Sequence, residues 1–295
     1  MMQKIVPHLW FEHEALVAAQ WYVSLFENSN ILNVITIPDT PSGDAELVDF
    51  QLADIKFSAM SAGPYFRLNQ SISLMVACST VEEVDRLYKS FSAGGTELMP
   101  LGEYPFSKQY AWIQDKYGLS WQLMHTDATE GVQRIRPSLL FSDNVCGRAE
   151  EAINFYTSVF QDSKKGFVSH YKAGEAMDPR ANINYGEVEL LGSQLIAMDH
   201  ALGGDSTFNE ALSFIVQCEN QDEIDYYWDK LSYVPEAEEC GWLKDKYGLS
   251  WQIEPTRIKD VLIHGTKEEV RRVTEALLKM KKINLAALDK ARKGE

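Results

Sequence analysis

The chain has 295 residues, 45% of them hydrophobic and 24% charged, the composition of a folded globular protein of about two domains. Its net charge of −15 argues against nucleic acid as a partner, and it contains no run of about 20 apolar residues to span a membrane. The first ten residues lack the apolar stretch and cleavage site of a signal peptide, and Cys78, Cys146, Cys218 and Cys240 have no CxxC spacing, which predicts reduced thiols in a cytoplasmic protein.

Taken in order, residues 4–11 read as a strand, with Pro7 near its start where an edge tolerates the missing N–H. Residues 14–26 read as a helix, because Leu16, Ala19, Tyr22, Val23 and Phe26 recur at three- and four-residue spacing. Strand-like runs follow at 31–37, 47–52 and 55–60, with a loop at 38–43 and a two-residue turn at Ala53-Asp54. The β-α-β-β-β pattern then restarts. Residues 72–77 form a strand, Ser79 or Thr80 caps a helix striped by Val84, Leu87 and Phe91, and Gly94-Gly95 ends it. Three more strands are expected at 97–101, 109–114 and 119–125.

The second half repeats the first. Asp115-Lys116-Tyr117-Gly118-Leu119-Ser120-Trp121-Gln122 recurs without change as Asp245 to Gln252, and Pro137 to Phe141 mirrors Pro7 to Phe11. The offset between halves drifts from 130 to 140 and returns to 130 at the octapeptide, because the second half lacks ten residues between Leu231 and Trp242. Insertions and deletions that fall between elements are the mark of a duplication. After Pro255 the repeat stops. Thr266 to Glu269 is a capping box opening a helix through Met280, and residues 281–287 read as a second short helix. Residues 257–295 carry 11 Lys+Arg against 6 Asp+Glu, so this basic tail is expected to dock on the acidic body or on a second subunit.

Four such units in series, with Pro-x-Leu-Trp-Phe at 7–11, Trp-Tyr-x-Ser-Leu-Phe at 21–26 and the octapeptide, resemble the vicinal oxygen chelate superfamily. The likeness is greatest to its PhnB-like branch, whose members often carry the label 3-demethylubiquinone-9 3-methyltransferase. The resemblance covers nearly the whole chain. It implies an α+β fold of two glyoxalase-like domains in tandem, residues 1–130 and 131–256, each built of two units curled into an open cup, followed by a basic helical tail at 257–295. Single-domain relatives pair as dimers, which this chain would do covalently; a further homodimer is left open.

The resemblance also implies where chemistry would sit. Superfamily members commonly hold a metal on His and Glu ligands from the first strand of each unit and from the last strand. Here Gln122 and Gln252 stand at the Glu position, Ser138 replaces His8 in the second half, and Ser71 or Ser73 and Ala211 or Ser213 stand where another His would be. A neutral amide is a weak ligand and no base near neutral pH. The expectation is a cup without the complete metal site and with no cofactor, a divalent metal being the alternative. Methyl transfer would need a glycine-rich turn after a first strand, whereas Gly94-Gly95 follows a helix.

Strand alternation puts Ser120, Gln122 and Met124 on one face, with Trp121 and Leu123 on the core side. A cup in residues 1–127 lined by His8, Trp10, Met60, Tyr104, Phe106, Trp112 and Gln122 would suit a small, partly apolar molecule. Two functions stay in view: ligand binding without chemistry, of the bleomycin-resistance type, and a metal-dependent lyase, isomerase or dioxygenase with a nonstandard site around His8 and Gln122.

Overall fold

The computed structural model describes all residues except Met1, Met2, Pro41, Ser42, Ala128 and Thr129, together with the side chain of Asp39. The middle of the loop expected at 38–43 therefore lies outside the described residues.

The first half runs β1 (Ile5–Phe11), α1 (Ala15–Leu25), β2 (Asn30–Thr40), β3 (Gly43–Leu52), β4 (Ile55–Ser61), β5 (Ile72–Cys78), α2 (Val81–Ser92), β6 (Thr96–Tyr104), β7 (Ser107–Gln114) and β8 (Ser120–His125). The second runs β9 (Ile135–Phe141), α3 (Ala149–Val159), β10 (Lys164–His170), β11 (Ile183–Leu190), β12 (Ser193–Asp199), β13 (Leu212–Cys218), α4 (Gln221–Leu231), β14 (Trp242–Lys244) and β15 (Ser250–Pro255). The tail holds α5 (Thr256–His264), α6 (Lys267–Leu277) and α7 (Leu285–Lys293). Local chemistry places these boundaries. Thr80 accepts from the Glu83 amide at the start of α2 and Asn220 from the Glu223 amide at the start of α4. Gly94, at φ +80°, ends α2 in a conformation that an L side chain strains to adopt.

The strands form two sheets. Sheet A has the order β14-β15-β13-β1-β4-β3-β2, and sheet B the order β10-β11-β12-β9-β5-β8-β7-β6. Each sheet therefore takes one unit from each half of the chain. The joints are antiparallel: β1 pairs with β13, His8 opposite Ser213, and β5 pairs with β9, Ser73 opposite Ser138. This corrects the expectation of a single cup enclosed by residues 1–127. The two units of one half meet through their helix-bearing faces rather than strand to strand: Trp121 of β8 stacks on Phe91 of α2 at 4.5 Å and on Phe26, just past α1, at 5.8 Å. The same contact recurs as Trp251 on Phe160 at 5.3 Å.

Pro7 is likewise not on an edge, since β1 lies between β13 and β4. The bonds Trp10 N to Ala211 O and Gln217 N to Lys4 O turn the even-numbered residues of β1 toward β13. The Pro7 nitrogen faces β4, whose pairing with β1 begins only at His8.

The octapeptide is a buried latch. Asp115 accepts from the amides of Tyr117 and Leu119 at 2.8 and 3.1 Å and from Trp121 Nε1 at 2.8 Å. Asp245 repeats these bonds and also accepts from Tyr156 Oη at 2.7 Å, tying α3 to the turn that leads into β15. Gly118 and Gly248, at φ +88° and +82°, make the turns between. Trp121 and Trp251 are fully buried, as core residues should be.

The tail departs from its sequence reading. An additional helix, α5, follows directly on β15, its apolar face made by Ile258 and Val261. The expected helix through Met280 ends at Leu277, and no helix occupies 278–284. That stretch lies along the edge left bare by the ten missing residues: Cys240 N and Gly241 N donate to Met280 O and Lys281 O, both at 2.8 Å. The tail docks on its own chain, with Lys281 paired to Glu238 and Lys282 to Asp225.

Candidate functional site

In β1, Ile5, Leu9 and Phe11 pack into the helix-bearing core, so Val6, His8 and Trp10 point to the opposite, inner face of sheet A. Residues directly paired across strands share a face. On sheet A this aligns His8 with Ser58 and Ser213, Trp10 with Met60, Asp49 with Ser58, and Trp242 with Gln252. On sheet B, Glu187, Ile196, Ser138, Ser73 and Ser120 make one lateral row of the inner face, and Arg136, Met75, Gln122 and Trp112 the next.

The inner face of sheet A is covered. From α5, Lys259 Nζ donates to Asp49 Oδ1 at 2.6 Å. Beneath, His8 is 1% exposed and neither ring nitrogen has a protein partner. Burial, with Lys259 adding to it, holds its pKa down at about 3, so the ring is neutral. It meets Trp242 edge-on at 5.7 Å, and Trp242 meets Trp10, whose Nε1 donates to Gly63 O at 2.8 Å. Gln252 Nε2 donates to Ser213 Oγ at 2.8 Å. Burial also raises the Glu254 carboxyl pKa, against the pull of Lys259.

Sheet B differs. The helices packed on it, α2 on β7 and β8 and α3 on β11 and β12, lie on its other face, where Phe91 meets Trp121. At the centre of the inner face, Gln122 Nε2 donates to Ser73 Oγ at 2.7 Å and lies 3.5 Å from Ser138 Oγ, while Gln122 Oε1 accepts from Tyr110 Oη at 2.8 Å. Trp112 Nε1 donates to Ser120 Oγ at 2.6 Å. The β6–β7 hairpin adds an aromatic corner, Tyr104 stacked on Phe106 at 5.6 Å and both edge-on to Tyr110. Toward β11, Arg136 Nη1 and Tyr185 Oη both donate to Glu187 Oε1, at 3.0 and 2.8 Å.

The seven residues expected in one cup thus fall into two groups. His8, Trp10 and Met60 are together on sheet A; Tyr104, Phe106, Trp112 and Gln122 are together on sheet B. Sequence reasoning missed Tyr110, which alternation from Trp112 places on the inner face, and Arg136, two residues before Ser138 on the same face.

The residues present do not fit a superfamily-type divalent centre. At the position of Gln122, both ends of the amide are engaged and its neighbours are hydroxyls. Sheet A offers one imidazole beside Ser213 and Gln252. Among the described residues no cluster of three His, Cys, Asp or Glu side chains could hold a metal. No described helix is long and apolar enough to cross a membrane.

The sequence profile of the family described as 3-demethylubiquinone-9 3-methyltransferase matches residues 3–124 and again 133–254. Among curated proteins no match is found. Among solved structures, a Bacillus cereus PhnB protein titled with the same methyltransferase description is 36% identical over 42% of this chain and 100% of its own, with a TM-score of 0.40. A mutant form of glyoxalase I from Zea mays is 11% identical over 88% of this chain and 97% of its own, with a TM-score of 0.56. The unsubstituted maize protein gives 10% identity and a TM-score of 0.54 over 84% of this chain and 92% of its own. At that identity the likeness establishes the fold alone, a tandem α+β glyoxalase-like arrangement.

Proposed function

We propose, from the premise that the chain belongs to the 3-demethylubiquinone-9 3-methyltransferase family, that it is a binding protein for a small, partly apolar molecule held on the inner face of sheet B. The observation that carries this reading is the unequal placing of helices on two equivalent faces. Helix α5 seals the inner face of sheet A through Lys259 and Asp49. On sheet B the packed helices lie on the other side, and large apolar rings stand at the rim: Phe106 is 60% exposed and Phe167 63%. A concave apolar surface with a few fixed polar groups is the usual make-up of a small-molecule site. Trp112, Tyr104 and Met75 supply the apolar part; Gln122, Ser138 and Arg136 supply the polar part.

The metal-dependent reading is weaker, because Gln122 spends its amide on Ser73 and Tyr110. The methyl transfer in the family's description gains nothing from Gly94-Gly95, which ends a helix.

A screen of small aromatic fragments by protein-observed NMR tests the proposal. Hits are expected to shift the Trp112 indole N–H and the Gln122 side-chain amide, and to be lost in Trp112→Ala. Hits that gather instead around His8 and Trp242, or that survive Trp112→Ala unchanged, would overturn it.

A further inference from the structure

At the β10–β11 end of the inner face of sheet B lies a cavity of about 230 Å³, its wall including Gly131, Arg136, Lys165, Gly166, Glu187 and Gln194. It exists because β10 bulges: its pairing with β11 shifts between Lys165 and Val168. Gly166 permits the close approach, since a Cβ there would sit 2.7 Å from Glu187 Cβ.

Arg136 is 5% exposed, and only part of its guanidinium is satisfied. Nη1 donates to Glu187 Oε1 at 3.0 Å, whereas Nε is buried with no protein acceptor. A buried N–H without an acceptor is destabilising, and a guanidinium cannot shed its charge to escape it. Glu187 is already engaged: Oε1 accepts from Tyr185 as well, and Oε2 lies 3.4 Å from the Phe167 amide. Lys164 pairs with Glu189 at 3.4 Å, while Lys165 donates to the neutral Asn154. On the inner face the wall thus carries Arg136 and Lys164 against Glu187 and Glu189, a balanced set, while the Lys165 ammonium reaches Asn154 of α3 on the helix-bearing face.

We propose that this cavity anchors the carboxylate of a small organic acid, whose apolar remainder runs along the inner face toward Met75 and Trp112. The inference rests on the reading of sheet B as the binding face. A planar carboxylate matches the edge of a guanidinium, and beside Glu187 and Glu189 a monoanion is repelled less than a phosphate dianion. Arg136, Met75, Gln122 and Trp112 lie on successive strands in one row. At about 4.8 Å per strand, an acid with a ring next to its carboxylate reaches from Arg136 to Met75.

The test is titration of the full chain with benzoate and with benzamide, its neutral isostere, by calorimetry and NMR at low salt. Benzoate is expected to shift the Arg136 Nε–H and Gly166 amide signals and to bind about tenfold or more tighter than benzamide. Added salt and Lys164→Gln each weaken the benzoate complex. Because Arg136→Gln alone strands Glu187, the decisive protein is Arg136→Gln with Glu187→Gln, which keeps an uncharged pair and is expected to lose the preference for benzoate. A wild type that does not distinguish the two probes, or a double variant that still prefers benzoate, overturns the carboxylate anchor. If both probes bind equally and are lost in Trp112→Ala, the sheet B reading stands and this inference falls. If benzoate depends on Arg136 but ignores Trp112→Ala, the anchor stands and the wider reading falls. If neither probe binds, both fall.

Discussion

Lys259 on the first tail helix donates to Asp49 at 2.6 Å, joining residues 210 positions apart across the inner face of sheet A. Asp49 is 8% exposed at its side chain and Lys259 21%, so the pair is largely shielded from water. Removing the ammonium would leave a nearly buried carboxylate without its counter-charge, which is far costlier than losing an exposed pair. Lys259→Met is expected to destabilise the chain by about 2–3 kcal/mol, and adding Asp49→Asn should recover much of the loss. Urea unfolding of the two single variants and the double variant gives the coupling. A purely additive cycle would mean that the bond does not hold the helix on the face.

The extent to which this arrangement could be read from the sequence has a physical pattern. Local signals were legible: the capping box at Thr266 and Glu269 forms as its spacing implies, and Gly118 makes the turn into β8. Helix α5 was not legible, because it starts at Pro255 with no side-chain cap and lies where the repeat has ended. The alternation of β1 puts His8 and Trp10 on one face of the strand. It could not say which other unit shares that face. Every unit carries the same pattern, and the choice of β13 as the neighbour of β1 is made by strand edges some 200 residues apart in the chain. Hence Trp10 and Trp112, which lie in one half, end on different sheets, whereas Trp10 and Trp242 come within 6.3 Å.

His8 gives the fold a pH dependence whose direction follows from its surroundings. Burial, reinforced by Lys259, holds its folded pKa at about 3, against an ordinary value of 6.5. The unfolded chain therefore binds the extra proton between those values. The stability associated with the neutral ring is complete above pH 6.5 and is lost as pH falls toward 3. His8→Leu has no such proton to exclude. Relative to the wild type it should gain about 2–3 kcal/mol on passing from pH 7 to pH 4.5. Chemical unfolding of both proteins at the two pH values measures this directly. A stability difference that does not change with pH would show that the ring reaches solvent or finds a partner when protonated.

Gly241 ties the tail to sheet A. Its amide donates to Lys281 O and its carbonyl accepts from Ile253 N, both at 2.8 Å, at a φ of +90°. A Cβ there would lie 2.9 Å from Ile283 Cδ1 and 3.1 Å from Ile253 O, so Gly241→Ala meets both backbone strain and a packed side chain. A loss of about 2 kcal/mol is expected, concentrated in the tail segment. Limited trypsin digestion should then cut faster at Lys281 and Lys282 in the variant than in the wild type. An unchanged cleavage rate at these lysines would mean that residues 278–284 are held by other contacts than this edge.

Gln122→Glu puts the missing superfamily carboxylate back at its position on sheet B, and the surroundings decide the result. The wild-type amide donates to Ser73 and accepts from Tyr110, and the side chain is 3% exposed. A carboxylate keeps the bond from Tyr110 and can also accept from Ser73, but it brings a buried charge without a cation beside it. Burial then favours the protonated form, and the variant should be less stable than the wild type by about 1–3 kcal/mol at pH 8, with the deficit shrinking toward pH 5. It should gain no affinity for zinc or nickel, because Ser73 and Ser138 are hydroxyls where imidazoles would be needed. Isothermal titration with each metal, next to unfolding curves at both pH values, separates the outcomes. Tight stoichiometric metal binding by the variant would mean that the inner face of sheet B is one residue away from a metal centre, and that the Ser73, Gln122 and Ser138 cluster is a vacated ligand set rather than a polar floor for an organic ligand.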